Sequence, residues 1–303
     1  MVNVRLASLL ALRHAASSLS LRPARIRASG NGPYRSMFKG RGMEFDEVRP
    51  YMQGDDARVL DWRVTARTGR PHTKLFREER ERGVLLWIDL RRPMFFATRG
   101  AFKAVRVAQT AALLGWSAVH RGDRLGALIF SETDHFELRP RLGQPALLHI
   151  FHQLVAHPAW QAASSPVDAS AQAKALHQSL ARLRRVAQPG SLIVLLSDFA
   201  NLADQGRAHL VQLARHNDVI LVDVHDPLET ELPPPGDYRV GDGRSFLTLT
   251  TKDGVFRARY RQRFLDEQRE REDFCRHHGM TLLPLSTADS PLKTLQQHLG
   301  LRA

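Results

Sequence analysis

The chain has 303 residues, 43% hydrophobic and 25% charged, which is enough to bury a full core as one large domain or one and a half, and too apolar for a disordered chain. A single cysteine, Cys275, excludes an internal disulfide framework and an all-cysteine zinc cage, and it fits a reducing, cytoplasmic setting. The net charge of +13 is concentrated toward the N-terminus: residues 1–82 hold 17 basic and 9 acidic side chains, which predicts a surface for an acidic partner there.

The first 30 residues contain five arginines and no acid. Their apolar run, "LASLLAL", falls far short of the roughly 20 residues of a membrane span. It predicts instead an amphipathic helix over about residues 4–20, packed on the body and followed by a basic patch of Arg22, Arg25 and Arg27. Residues 31–82 read as a second, partly β segment. In it Gly54, Asp55 and Asp56 make a turn, and "ARVLDW" opens a short helix behind a capping acid. Arg49, Asp55, Asp56, Arg58, Asp61 and Arg67 alternate in sign around Trp62. Charges this dense form either a structural brace or a partner-contact surface.

From residue 83 to 303, strands and helices alternate. "GVLLWIDL", "DRLGALIF", "GSLIVLLSDF", "NDVILVDVHDP" and "MTLLPLS" are continuous apolar runs of the kind buried in parallel sheets, and "HFELRP" alternates like an edge strand. An antiparallel hairpin insert is predicted near 236–258, followed by a charged helix over about 259–278. The pattern predicts an α/β fold with a mostly parallel sheet and helices on both faces. Ligands of such sheets sit beyond the carboxyl ends of the strands, where Asp89 and Asp198 both fall.

This order of elements, with an acid closing the first strand and another closing "LIVLLSD", resembles the von Willebrand factor A domain. In that family an Asp-x-Ser-x-Ser loop and a later aspartate help to hold a divalent cation. The resemblance places Asp89 at the first aspartate, Arg91 and Pro93 at the two serines, and Asp198 at the later aspartate. Arginine brings a fixed positive charge and no lone pair, and proline brings no side-chain oxygen. The expectation is therefore a degenerate site without a metal, in which Asp89 pairs with an arginine or caps the next helix.

The block from Gly40 to Glu81, "GRGMEFDEVRPYMQGDDARVLDWRVTARTGRPHTKLFREERE", is similar to the hallmark of domain-of-unknown-function family number 58. That resemblance, over roughly residues 30–290, implies a bacterial, non-enzymatic adaptor working with a MoxR-type AAA+ ATPase on an unknown client, without a cofactor. A metal-dependent ligand-binding domain is the alternative. Two other readings are weaker. Ser197, Asp198, His225 and Asp226 offer hydrolase-type residues, but no G-x-S-x-G elbow exposes the serine. Nucleic-acid binding lacks both a helix-turn-helix and interleaved aromatics. His277 and His278, at a helix end, read as caps.

Overall fold

The computed structural model describes residues 3–19, 43–52, 55, 57–78, 82–161, 168–241 and 246–299. The chain divides into two compact units, one of Ala28–Glu81 and one of Met1–Arg27 with Arg82–Ala303.

The larger unit opens with helices α1 (Leu6–Leu10) and α2 (Arg13–Ala16). Where one amphipathic helix over 4–20 was expected, the chain turns at Ala11 and Leu12. This break lets Leu9, Ala16 and Leu19 all reach the core. The Trp116 indole donates to the Leu9 carbonyl at 3.1 Å, and the Arg13 guanidinium lies 5.3 Å from the centre of the same indole. Arg22, Arg25 and Arg27 lie outside the described residues.

In the smaller unit, strand β1 (Met43–Pro50) pairs antiparallel with β2 (His72–Glu78), and helix α3 (Trp62–Thr68) stands between them in sequence. Asp61 caps α3 by accepting from the Arg63 and Val64 amides, and Gly69 closes it in the left-handed conformation at φ 67°.

The larger unit resumes with β3 (Gly83–Asp89), α4 (Lys103–His120), β4 (Arg124–Phe130), β5 (His135–Arg141), α5 (Gln144–Ala156) and α6 (Ala169–Val186). Then come β6 (Leu192–Ser197), α7 (Asp204–Ala214), β7 (Asp218–His225), α8 (Pro227–Thr230), β8 (Asp237–Gly241), β9 (Phe246–Thr250), α9 (Gly254–His277), β10 (Thr281–Ser286) and α10 (Pro291–Leu299). The fold is mixed α/β, with a six-stranded sheet in the order β10-β7-β6-β3-β4-β5 that is parallel except for the edge strand β5. Strands β8 and β9 form a separate antiparallel hairpin. The helix after it begins at Gly254 rather than near 259, because the Asp253 carboxylate accepts from the Val255 amide and caps it there.

The apolar runs are continuous because both faces of the sheet are covered. Val84, Leu86 and Ile88 of β3 enter one core with α4 and α5, while Leu85 and Trp87 enter the other with α6 and α7. Each fully buried side chain of this size contributes roughly 1.5–3 kcal/mol. Gly126 sits at the irregularity between β4 and β5, where a Cβ would come within 2.6 Å of the Leu138 carbonyl oxygen. No helix among the described residues is long and apolar enough to cross a membrane.

The chain runs from β3 outward to β4 and β5, then returns to the other side of β3 with β6, β7 and β10. The switch point is the crevice between the carboxyl ends of β3 and β6.

Candidate functional site

That crevice is filled by the protein's own cations. Asp89, at the end of β3, is completely buried. Its Oδ1 accepts from the Arg91 amide at 2.8 Å and from Arg91 Nε at 3.0 Å. Its Oδ2 accepts from Arg91 Nη2 at 2.6 Å and from the Ser197 hydroxyl at 2.6 Å. The carboxylate has about four lone-pair sites, and all are engaged. Arg91 is equally buried. Its Nη1 donates to the Gln172 and Ala200 carbonyls, and its Nη2 lies 3.7 Å from Asp198.

A second cation stands beside the first. Lys103 Nζ donates to Asp198 Oδ2 at 2.8 Å and to Glu229 Oε1 at 2.7 Å. The other Glu229 oxygen accepts from the Asp226 amide at 2.8 Å, completing a capping box on α8. Asp226 in turn accepts from the Thr98 amide at 2.8 Å and the Thr287 hydroxyl at 2.6 Å. Loops after β3, β6, β7 and β10 thus meet in one bonded network.

Burial would push the Arg91 and Lys103 pKa values down, but the facing carboxylates outweigh it and hold both above their ordinary values. Burial would likewise raise Asp198, yet Lys103 and Arg91 hold it below the usual carboxylate range. Asp223, on the neighbouring β7, behaves oppositely. Burial raises it, although Arg271 Nε donates to it at 3.0 Å. The backbone beside Asp198 is strained, with φ at +51° for Phe199 and +64° for Asn201, conformations that cost of order 1–3 kcal/mol. The Arg91 bond to the Ala200 carbonyl and the Ala200 amide bond to Asp198 pin this loop from both sides.

The residues do not fit a divalent cation. Arg91 brings a fixed positive charge, Pro93 brings no side-chain oxygen, and the oxygens of Asp89 are already engaged. A doubly charged ion 4 Å from one guanidinium would be repelled by about 8 kcal/mol at an effective dielectric near 20. That equals the binding energy of a micromolar site. Among the described residues, no group of three or more His, Cys, Asp or Glu side chains is placed to hold a metal.

Other predicted residues fall as follows. Ser197 is fully buried and its hydroxyl donates a hydrogen bond to Asp89, while the His225 ring packs against Phe264 at 5.7 Å, so the hydrolase set does not assemble. In the smaller unit, Asp55 accepts from Arg49 at 2.7 Å and from the Met52 amide at 2.9 Å. The ionic partner of Asp61 is Lys74 at 3.7 Å, not one of the arginines expected to brace it. Trp62 is 70% exposed, and Arg58 and Arg67 are exposed as well. Asp56 lies outside the described residues. His277 and His278 close α9, as expected of caps.

Lys103 and Glu229 were missed by the sequence reading. A usable signal existed for the lysine. It is the first residue of α4, where the helix dipole disfavours a cation by about 0.3–1 kcal/mol, so its presence there needs a compensating anion.

The family model described as "Protein of unknown function DUF58" matches residues 47–271. The chain belongs to the DUF58 family. Uncharacterized proteins of Mycobacterium bovis and Mycobacterium tuberculosis are each 31% identical to this DUF58 chain over 216 residues, which is 71% of this chain and 65% of theirs. The chain thus spans less than two thirds of the length of these relatives. Among solved structures, an aerotolerance-related membrane protein from Bacteroides fragilis with multiple mutations to serines aligns with TM-score 0.45 and 13% identity. That alignment covers 72% of this chain and 98% of that one.

Proposed function

We propose that this DUF58 chain is a non-enzymatic protein-interaction adaptor, built on a von Willebrand A-like domain whose cation position is plugged by Arg91 and Lys103. Its partner in this reading is a MoxR-type AAA+ ATPase, acting with it in the cytoplasm on a client protein. The observation that carries the proposal is the network at the switch point. A crevice that sheets of this kind use for ligands holds a guanidinium and an ammonium matched to three carboxylates. Such a site stays rigid without a metal and leaves the surrounding loops as a recognition surface. Metal-dependent binding would have to displace two internal cations at once. The buried Cys275 thiol, pushed up to about 12 by burial, is inert and suits a reducing compartment.

The test mixes the purified chain with the AAA+ ATPase encoded beside it and follows complex formation by size-exclusion chromatography with light scattering. A saturable complex of fixed stoichiometry, formed without nucleotide and unchanged by a chelator, is expected. Absence of a complex at low salt, with and without nucleotide, overturns the adaptor reading.

A further inference from the structure

The same end of the larger unit carries a groove of 860 Å³ that the plugged crevice does not use. Its floor is apolar, made by Phe96, Leu228, Leu249 and the run Pro233–Pro235. The wall is fixed in place: the Tyr238 hydroxyl donates to the Pro234 carbonyl at 2.9 Å, and the buried Thr251 hydroxyl donates to the same oxygen at 2.8 Å. A wall held this way loses little conformational freedom when something docks against it.

Three arginines line the groove: Arg99 from the loop after β3, Arg239 from β8 and Arg257 from α9. Glu231 is the one acid in the described lining, and none of the three guanidinium groups has an acidic partner among the described residues. Cations without an acidic partner among the described residues, set around an apolar floor, suit an occupant with both carboxylates and apolar side chains. Apolar surface continues outward at Phe246, Val255 and Phe256, all exposed. The Arg239 guanidinium lies 4.1 Å from the centre of the Phe246 ring. That aromatic face is taken, and the Tyr238 hydroxyl is bonded inward, so the described lining offers no row of free rings for stacking bases.

We propose that this groove docks an acidic segment of a partner protein, anchored by an apolar side chain on the proline floor. The inference rests on the adaptor reading and supplies the recognition chemistry for it. The groove also borders the plugged crevice, since Thr98 and Leu228 line it and both donate to Asp226.

The experiment pans a displayed library of random dodecapeptides against the full chain at low salt, then measures the selected peptides by fluorescence anisotropy. Enrichment of Asp and Glu around an apolar residue is expected. The Arg239→Glu, Arg257→Glu double variant should weaken the selected peptides at least tenfold. Arg139→Glu with Arg141→Glu, the same charge change at exposed positions of the edge strand β5, should leave them unaffected. If the double variant melts early, Arg99→Glu alone serves, with a loss of several-fold expected. Selected peptides without acidic enrichment, or equal affinity for the groove variants, overturn the proposal. Peptides that bind the groove while no ATPase complex forms would sink the adaptor reading alone. An ATPase complex indifferent to the groove variants would sink the groove alone.

Discussion

Two groups of cations sit at the same end of the sheet and are treated in opposite ways. Arg91 and Lys103 are buried and matched to Asp89, Asp198 and Glu229 at 2.6–2.8 Å. Arg99, Arg239 and Arg257 line an open groove whose described lining holds one acid, Glu231. A buried charge without a partner costs several kcal/mol, so matching the first group stabilises the fold. Solvated arginines carry no such requirement. The difference separates charge that holds this molecule together from charge available to another molecule.

The sharpest way to break that distinction is to remove the plug. Arg91→Met leaves Asp89 and Asp198 buried next to each other without the cation between them, and should cost about 3–5 kcal/mol in chemical denaturation. A loss under about 1 kcal/mol would mean that the pair is not buried in solution. Lys103→Met should cost less, about 2 kcal/mol, because Asp198 keeps Arg91 and because Glu229 is 36% exposed and can be rehydrated.

Asp61→Ala sharpens the contrast in the smaller unit. It removes a helix cap and the Lys74 pairing, whereas Asp61→Asn keeps the cap. Melting temperatures should therefore rank parent, then Asn, then Ala; equal values for Ala and Asn would show that the cap contributes nothing.

Asp198 and Asp223 give the pH version of the comparison. The depressed pKa of Asp198 contributes stability that is present above the ordinary value of 3.8 and lost as pH falls through its lower folded value. The raised pKa of Asp223 works the other way, with stability present below 3.8 and lost as pH rises through the folded value. At neutral pH, Asp223→Asn should therefore melt at or slightly above the parent temperature, and Asp198→Asn well below it. A marked loss for Asp223→Asn in a melting scan at pH 7 would show that the Arg271 pair outweighs burial. Smallest of all, the groove change Arg239→Glu, Arg257→Glu should stay within about 0.5 kcal/mol of the parent.

The legible parts of this molecule are the local ones. Unbroken runs such as "LIVLLS" reveal buried parallel strands, and a strand-ending acid beside two arginines points to an arginine pair or a helix cap for Asp89, of which the structure shows the pair with Arg91. Lys103 and Glu229, separated by 126 positions, meet only because the sheet order brings the loops after β3 and β7 together. No periodicity within either segment encodes that meeting. The abundance of arginine pointed to an arginine partner for Asp61, yet pairing follows strand position, and Lys74 of β2 is what lies in reach. The hairpin groove was equally out of view, since its lining comes from three stretches of chain.

The most direct test of the internal-cation account is calorimetric titration of manganese and magnesium into the purified, chelator-stripped chain. The account predicts no binding heat at millimolar ion, because the guanidinium and ammonium already stand where the ion would go. A micromolar isotherm that disappears in Asp198→Ala would contradict it and make the crevice a metal site.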